Sequence, residues 1–157
     1  MRTLTFVALH SLALAISGRA WAQQPEPPSA ELRIVAGTSG ISASSWVASY
    51  TSETCDGGKR LASFSFVTRG KKEARVPVGQ RLYLLAAAHV EKPVGADDVG
   101  KSSCRGMASF VPEAGKIYEV KHDLETRNCP LLITDASGAP LPTLEKHKVK
   151  GPCKKAG

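Results

Sequence analysis

The residues best suited to chemistry fall in a few places. GADDVGKS, from Gly95 to Ser102, has the spacing of a phosphate-binding P-loop: a glycine, four residues, then Gly100, Lys101 and a hydroxyl. LLITD, from Leu131 to Asp135, has the form of the apolar strand ending in Asp that partners such a loop. A working P-loop needs a strand before it and a helix after it, so that loop N–H groups and the helix N-terminus hold the phosphate. Here Pro93 and Gly95 interrupt the approach, and the following SSCRGMASF contains Gly106 and alternates like a strand. Asp97 and Asp98 would also set two negative charges beside a phosphate. The segment reads as a hydrophilic loop between two strands, and neither nucleotide nor any other cofactor is expected.

His89, His122 and His147 are far apart in sequence and show no H-E-x-x-H spacing. His89 ends an apolar run, where a satisfied, partly buried imidazole is the default. His122 with Asp123 has the make-up of a general-base pair or of two metal ligands, although such a pair more often closes a strand. The serines include no G-x-S-x-G elbow, so a Ser–His–acid triad would have to assemble from distant residues. The paired carboxylates Asp97 and Asp98 sit in a loop, a poor place to shift a pKa by burial. No catalytic, metal or cofactor residue is assigned, and an enzyme is not expected.

The remaining reactive groups are Cys55, Cys104, Cys129 and Cys153. An even count without C-x-x-C spacing favours two disulfides over a metal site, provided that the chain is exported. Export is expected from the N-terminus. Arg2 is followed by the apolar run Leu4–Ile16, then Ser17-Gly18, then the small-residue pattern Ala20-Trp21-Ala22. Residues 1–22 read as a signal peptide cleaved before Gln23, for a periplasmic or secreted protein, because the run falls short of the roughly 20 residues of a membrane span.

Removing Arg2 and Arg19 from the 21 basic residues leaves 19 against 14 acidic residues, a net charge of +5. All of that excess lies in KHKVKGPCKKAG, residues 146–157. Lys146, Lys148, Lys150, Lys154 and Lys155 are therefore the candidate anion-binding residues, toward an anionic envelope surface, although a solvated basic end is the simpler reading. A second basic group is Lys59, Arg60, Arg69, Lys71, Lys72 and Arg75, which hairpin pairing of its two strands would split between opposite ends.

The elements that must position these residues are short. QQPEPPSA (23–30) reads as an extended proline-rich linker. Strands are expected over 32–37, 45–51, 60–67, 74–78 (an edge strand because of Pro77), 81–90, 107–111, 116–122 and 130–135. The run 81–90 is expected to be buried on both faces despite three alanines. Pro112-Glu113-Ala114-Gly115 reads as a hairpin connection, and Ser137-Gly138 with Pro140 and Pro142 as the end of regular structure. About seven to eight strands, turns every 8 to 12 residues and no helix point to an all-β fold, a single antiparallel β-sandwich over residues 31–145.

VPVGQRLYL (76–84), SFVPEAGKIYEV (109–120) and NCPLLITD (128–135) together resemble small exported bacterial β-sandwich proteins of unassigned role, similar in rhythm to PEGA-like and transthyretin-like modules. Their shared phrase is a turn of the form aromatic-x-Pro-x-x-Gly-Lys-x-Tyr. The resemblance spans about residues 74–136 and implies an Ig-like or transthyretin-like sandwich in the cell envelope, without carrying over any site residue.

Hairpin counting places residue 104 opposite about 123 and residue 129 opposite about 121. Cys104 and Cys129 would flank a middle strand about 9.5 Å apart in a flat sheet. A bond between them would then need the chain to bend or change sheets, with Pro130 as a suitable place. Cys153 would staple the tail to Cys55. The functional expectation is a non-enzymatic exported module that binds or builds. The alternatives are an electrostatic binder acting through the tail and an inhibitor of a secreted hydrolase. Mass spectrometry of the exported protein is expected to find its N-terminus at Gln23; a retained Met1 would remove the leader reading.

Overall fold

Period-two alternation along the chain becomes nine strands in the computed structural model, which describes residues 26–35, 42–65, 70–93, 95, 98–124, 129–149 and 153. They are β1 (Ser29–Val35), β2 (Ser42–Tyr50), β3 (Lys59–Phe64), β4 (Lys71–Pro77), β5 (Leu82–Pro93), β6 (Val99–Phe110), β7 (Ile117–His122), β8 (Leu131–Asp135) and β9 (Glu145–His147). The described residues contain no helix. The expected leader and the start of the linker lie outside them.

The strands form two sheets. Sheet A has the order β4-β1-β7-β8 and sheet B the order β3-β2-β5-β6-β9, and neither closes on itself. Every pairing is antiparallel except that of β1 with β7, where Glu31 lies opposite Ile117 in parallel. The expectation of a wholly antiparallel structure is corrected at that one interface. β4 is an edge strand, as Pro77 requires, since it pairs with β1 alone.

Three boundaries also move. β1 starts at Ser29, inside the stretch read as linker, because Ala30 is buried and pairs with Val76. β6 starts at Val99 and takes in Lys101 and Ser102. β9 lies where regular structure was expected to have ended, and it runs across the expected border between body and basic tail.

Two of the connections counted as hairpins, β3 to β4 and Pro112–Gly115, are not hairpins, whereas β7 and β8 do pair as one. β3 and β4 lie in different sheets, so Lys59 and Arg60 are in sheet B and Lys71, Lys72 and Arg75 in sheet A, rather than at the two ends of one ladder; Arg69 lies outside the described residues. The Pro112–Gly115 turn likewise carries the chain from β6 in sheet B to β7 in sheet A. Its residues explain why. Phe110 and Tyr118, on the two sides of the turn, both point inward and meet edge to face, with centroids 4.8 Å apart. The Tyr118 hydroxyl accepts the Glu113 N–H at 3.0 Å, and Gly115 takes the left-handed φ of +72° that the turn demands. The aromatic-x-Pro-x-x-Gly-Lys-x-Tyr phrase thus works as a crossing between sheets.

Inward side chains of both sheets form one buried cluster, centred on Leu32, Ile34, Leu84, Phe110, Val120 and Ile133. β5 is buried on both faces, as expected. Leu82, Leu84 and Ala86 join that cluster, while Leu85 joins a second one on the outer side of sheet B with Ala48, Tyr50 and Met107. Cys55, Val149 and Cys153 cover this second cluster. Helix propensity at Ala86–Ala88 loses to that two-sided burial.

Two disulfides tie the layers. Cys104 on β6 is bonded to Cys129, just before β8, with Cα atoms 5.9 Å apart. This bond joins sheet B to sheet A, and the change of sheet that it needs is made by the Pro112–Gly115 crossing rather than at Pro130. The expected pairing of residue 104 with about 123 fails for the same reason, since β6 pairs with β5 and β9; β7 and β8 do pair as a hairpin, but with His122 opposite Leu131, about three residues from the expected register. Cys55 is bonded to Cys153, with Cα atoms 5.4 Å apart and a sequence separation of 98. Two residues beyond Cys104, Gly106 lets the sheets touch backbone to backbone. A Cβ at that position would stand 2.7 Å from the Cys129 carbonyl oxygen and 2.9 Å from the Leu131 nitrogen. Gly106→Ala is expected to lower stability by about 1–3 kcal/mol through overpacking. A urea midpoint equal to that of the parent would show that the two strands part freely.

Candidate functional site

The fold places the sequence-predicted positions that fall among the described residues, and the most structured polar group is one that the sequence did not single out. β6 alternates inward Ala108 and Phe110 with outward Met107 and Ser109. β9 then lays His147 on the same outer side of sheet B. Ser109 Oγ and His147 Nε2 are 2.7 Å apart, and His147 Nδ1 lies 3.6 Å from a Glu53 carboxylate oxygen. Arg81 Nη1 donates to Ser109 Oγ at 3.1 Å and to the Thr143 carbonyl at 3.3 Å, while its Nη2 pairs with Glu145 at 3.0 Å. The Tyr83 ring lies 5.4 Å from the imidazole.

These contacts fix the proton positions of the uncharged form. The Glu53 carboxylate beside Nδ1 draws the imidazole proton to that nitrogen, which leaves Nε2 to accept the Ser109 hydroxyl proton while Oγ itself accepts from Arg81. Glu53 is held in turn by the loop that carries it. The Asp56 carboxylate accepts from Ser52 Oγ at 2.6 Å and Thr54 Oγ1 at 2.8 Å, and those two bonds hold its pKa below the usual carboxylate value. Cys55, in the same loop, has a left-handed φ of +68° and is bonded to Cys153.

Ser109, His147 and Glu53 have the order of a nucleophile, base and orienting acid. Access is what they lack. Ser109 has 0% of its surface exposed, and a guanidinium occupies its hydroxyl. In this conformation no acyl carbon can come within bonding approach of Oγ. The arrangement fastens β9 and the 52–56 loop to sheet B.

The other candidates separate. Lys101, of the P-loop pattern, is a strand residue opposite Glu91, and their charged atoms are 3.6 Å apart. Val99–Ser102 form strand where a phosphate site needs a helix; Ala96 and Asp97 lie outside the described residues. Asp135 starts a turn as expected. Its carboxylate accepts from Ser137 Oγ at 2.6 Å and from the Ala139 N–H at 2.9 Å, and its pKa is lowered by those bonds. His89 is exposed, a correction to the partly buried imidazole expected there: it lies on the outer face of β5 beyond the part that Val149 and Cys153 cover. Lys146 and Lys148 are exposed, while Lys150, Lys154 and Lys155 lie outside the described residues. Among the described residues no group of three or more His, Cys, Asp or Glu side chains could hold a metal ion.

His122 is buried, with 2% of its surface exposed. Its Nε2 lies 3.1 Å from the Cys129 carbonyl oxygen and must donate to it, which leaves Nδ1 deprotonated and without a partner. Burial holds the pKa of this imidazole below 6.5, against smaller opposing effects of the Cys129 bond and Asp123.

No known family model, curated protein sequence or solved structure matches the chain.

The neutral state of His122 has a consequence for stability. The unfolded chain takes up a proton near pH 6.5, whereas the folded chain does so only at lower pH. The contribution of His122 is complete above pH 6.5 and is lost as the pH falls through the folded value. Denaturant midpoints are expected to decline between pH 7.5 and 5 more steeply for the parent than for His122→Gln, which keeps an N–H donor. Parallel declines would remove His122 as the cause.

Proposed function

We propose that the protein is a non-enzymatic, exported β-sandwich module, periplasmic or secreted, that binds or builds in the cell envelope. The observation that carries this reading is the sealed Ser109: the atoms of a hydrolytic relay are present, and they are used to lock the C-terminal strand onto sheet B. Two disulfides in a chain of 157 residues suit an oxidising compartment. One cluster drawn from the inner faces of two mainly antiparallel sheets supports a sandwich of Ig-like or transthyretin-like class.

A second reading, electrostatic attraction to an anionic surface, is favoured by the exposure of Lys146 and Lys148 beside the body. It is compatible with the first and gives the binding its sign.

A fluorophosphonate probe, which reacts with activated serines, is expected to leave the folded protein unlabelled. Labelling of the parent at Ser109 that is lost in Ser109→Ala would overturn the non-enzymatic reading.

A further inference from the structure

The outer faces of the two sheets differ in charge. On sheet A, acids and bases answer one another along and across strands: Arg33 pairs with Glu31 of its own strand at 2.8 Å and approaches Glu73 of β4 at 4.0 Å, and Lys71 pairs with Glu119 at 3.3 Å. That is a balanced, solvated face. On sheet B, Val149 and Cys153 pack against the cluster of Ala48, Tyr50, Leu85 and Met107, and the rows farther along expose Ser44, His89, Ser103 and Arg105. Those rows run Trp46–Ala87–Arg105 and Ser44–His89–Ser103 across β2, β5 and β6. They hold serine hydroxyls, an imidazole and a guanidinium, and no carboxylate. The next acid, Glu91, is occupied by Lys101.

The cations here are placed. The Arg60 guanidinium lies 4.5 Å from the centroid of the Trp46 ring and donates to Ser63 Oγ at 3.1 Å. Arg105 stands two strands from Trp46, about 9.5 Å at normal strand spacing, with the small Ala87 between them. Arg105 is exposed, and so is Lys146. Among the described residues neither has an ion-pair partner. Both line one hollow of about 160 Å³ with His147, Gly106 and Pro130.

We propose that the outward rows of sheet B from Ser44 to Arg105, bounded by Arg60 on Trp46 at one rim and at the other by the open edge of β6, where Lys146 reaches the hollow beside Arg105 from the inner side of β9, bind an acidic polysaccharide. A sulfate or carboxylate would sit in the hollow between Arg105 and Lys146, and the sugar hydroxyls would meet the serine row. The charge pattern calls for an anion, and two features select the polymer. Trp46 already carries Arg60 on its ring and Tyr83 packs against His147, so neither offers a free stacking platform for nucleic-acid bases. The one large apolar side chain exposed among the described residues, Leu132, is on sheet A, so this face has nothing to insert into a lipid layer. The inference rests on the protein being a binding module, which the serine probe tests separately.

The experiment measures binding of the full oxidised protein to heparin and to polygalacturonate at low and moderate salt. Single-stranded DNA and phosphatidylglycerol vesicles serve as comparisons. Arg105→Ser/Lys146→Ser is expected to weaken polysaccharide binding about tenfold or more at low salt and to flatten its salt dependence. Lys116→Ser/Lys121→Ser removes the same charge from elsewhere on the body and is expected to change it little. Absence of binding by the parent at low salt would overturn the proposal. So would equal weakening by both double variants, or tighter binding to DNA or vesicles.

Discussion

The two sheets are held in position by a place where they have no room to move. At Gly106 the backbone of β6 passes so close to the chain entering β8 that even a methyl group would collide with the Cys129 carbonyl and the Leu131 amide. Around that contact the structure concentrates its fixed points. The Cys104–Cys129 bond is two residues away, His122 donates to the same Cys129 carbonyl, and Cys129 itself holds a left-handed φ of +42°. A non-glycine residue in that region costs roughly 1–2 kcal/mol. It persists because the disulfide, the imidazole and the ladder of β8 all require it. The cluster behind it, from Leu32 to Ile133, can pack in one arrangement because this corner sets the spacing of the sheets.

The opposite side of sheet B is closed by a different logic. Its outer face would be half apolar if left bare. The chain returns to it after β8, pairs three residues as β9, and lays Val149 and Cys153 over Leu85 and Met107. Such a short strand adds little by itself, and the polar group of Arg81, Ser109, His147 and Glu53 supplies the specificity. Removing one member would strand buried partners, at about 1–3 kcal/mol for each unsatisfied group. The Cys55–Cys153 bond closes the arrangement over 98 residues, a span for which the chain-entropy view assigns about 4.7 kcal/mol. In the proposed non-enzymatic reading, what resembles catalytic machinery serves to secure β9 and the segment after it.

Much of the fold was legible because alternation is a local signal. Leu82–Val90 could be read as a strand buried on both faces, and Pro77 marked an edge, from nothing more than spacing and a missing N–H. Partnership was not legible. Pro112–Gly115 has the residues of a hairpin turn, and only the meeting of Phe110 with Tyr118 across the core shows that it changes sheets. β9 was invisible because Glu145-Lys146-His147 has no apolar alternation; its pairing depends on Ser109 and Met107, nearly forty residues earlier in the chain. The polar group was hidden for the same reason. Glu53, Arg81, Ser109 and His147 come from four separate segments, and no spacing rule connects them. The P-loop pattern failed in the opposite direction: its spacing was right, and its Lys101 faces a strand partner.

The parallel pairing of β1 with β7 bears on how the chain comes together. β1 lies between β4 and β7, so the first strand to emerge has both neighbours still to come, and Ile117 arrives long after Glu31. Sheet A therefore cannot be nucleated by neighbouring hairpins in order along the chain. It needs a long loop to close before any reward from β1, which places this protein among slow folders of high contact order. Under the proposed export of the chain unfolded across a membrane, that delay is an advantage, since sheet A stays unformed until β7 and β8 are through.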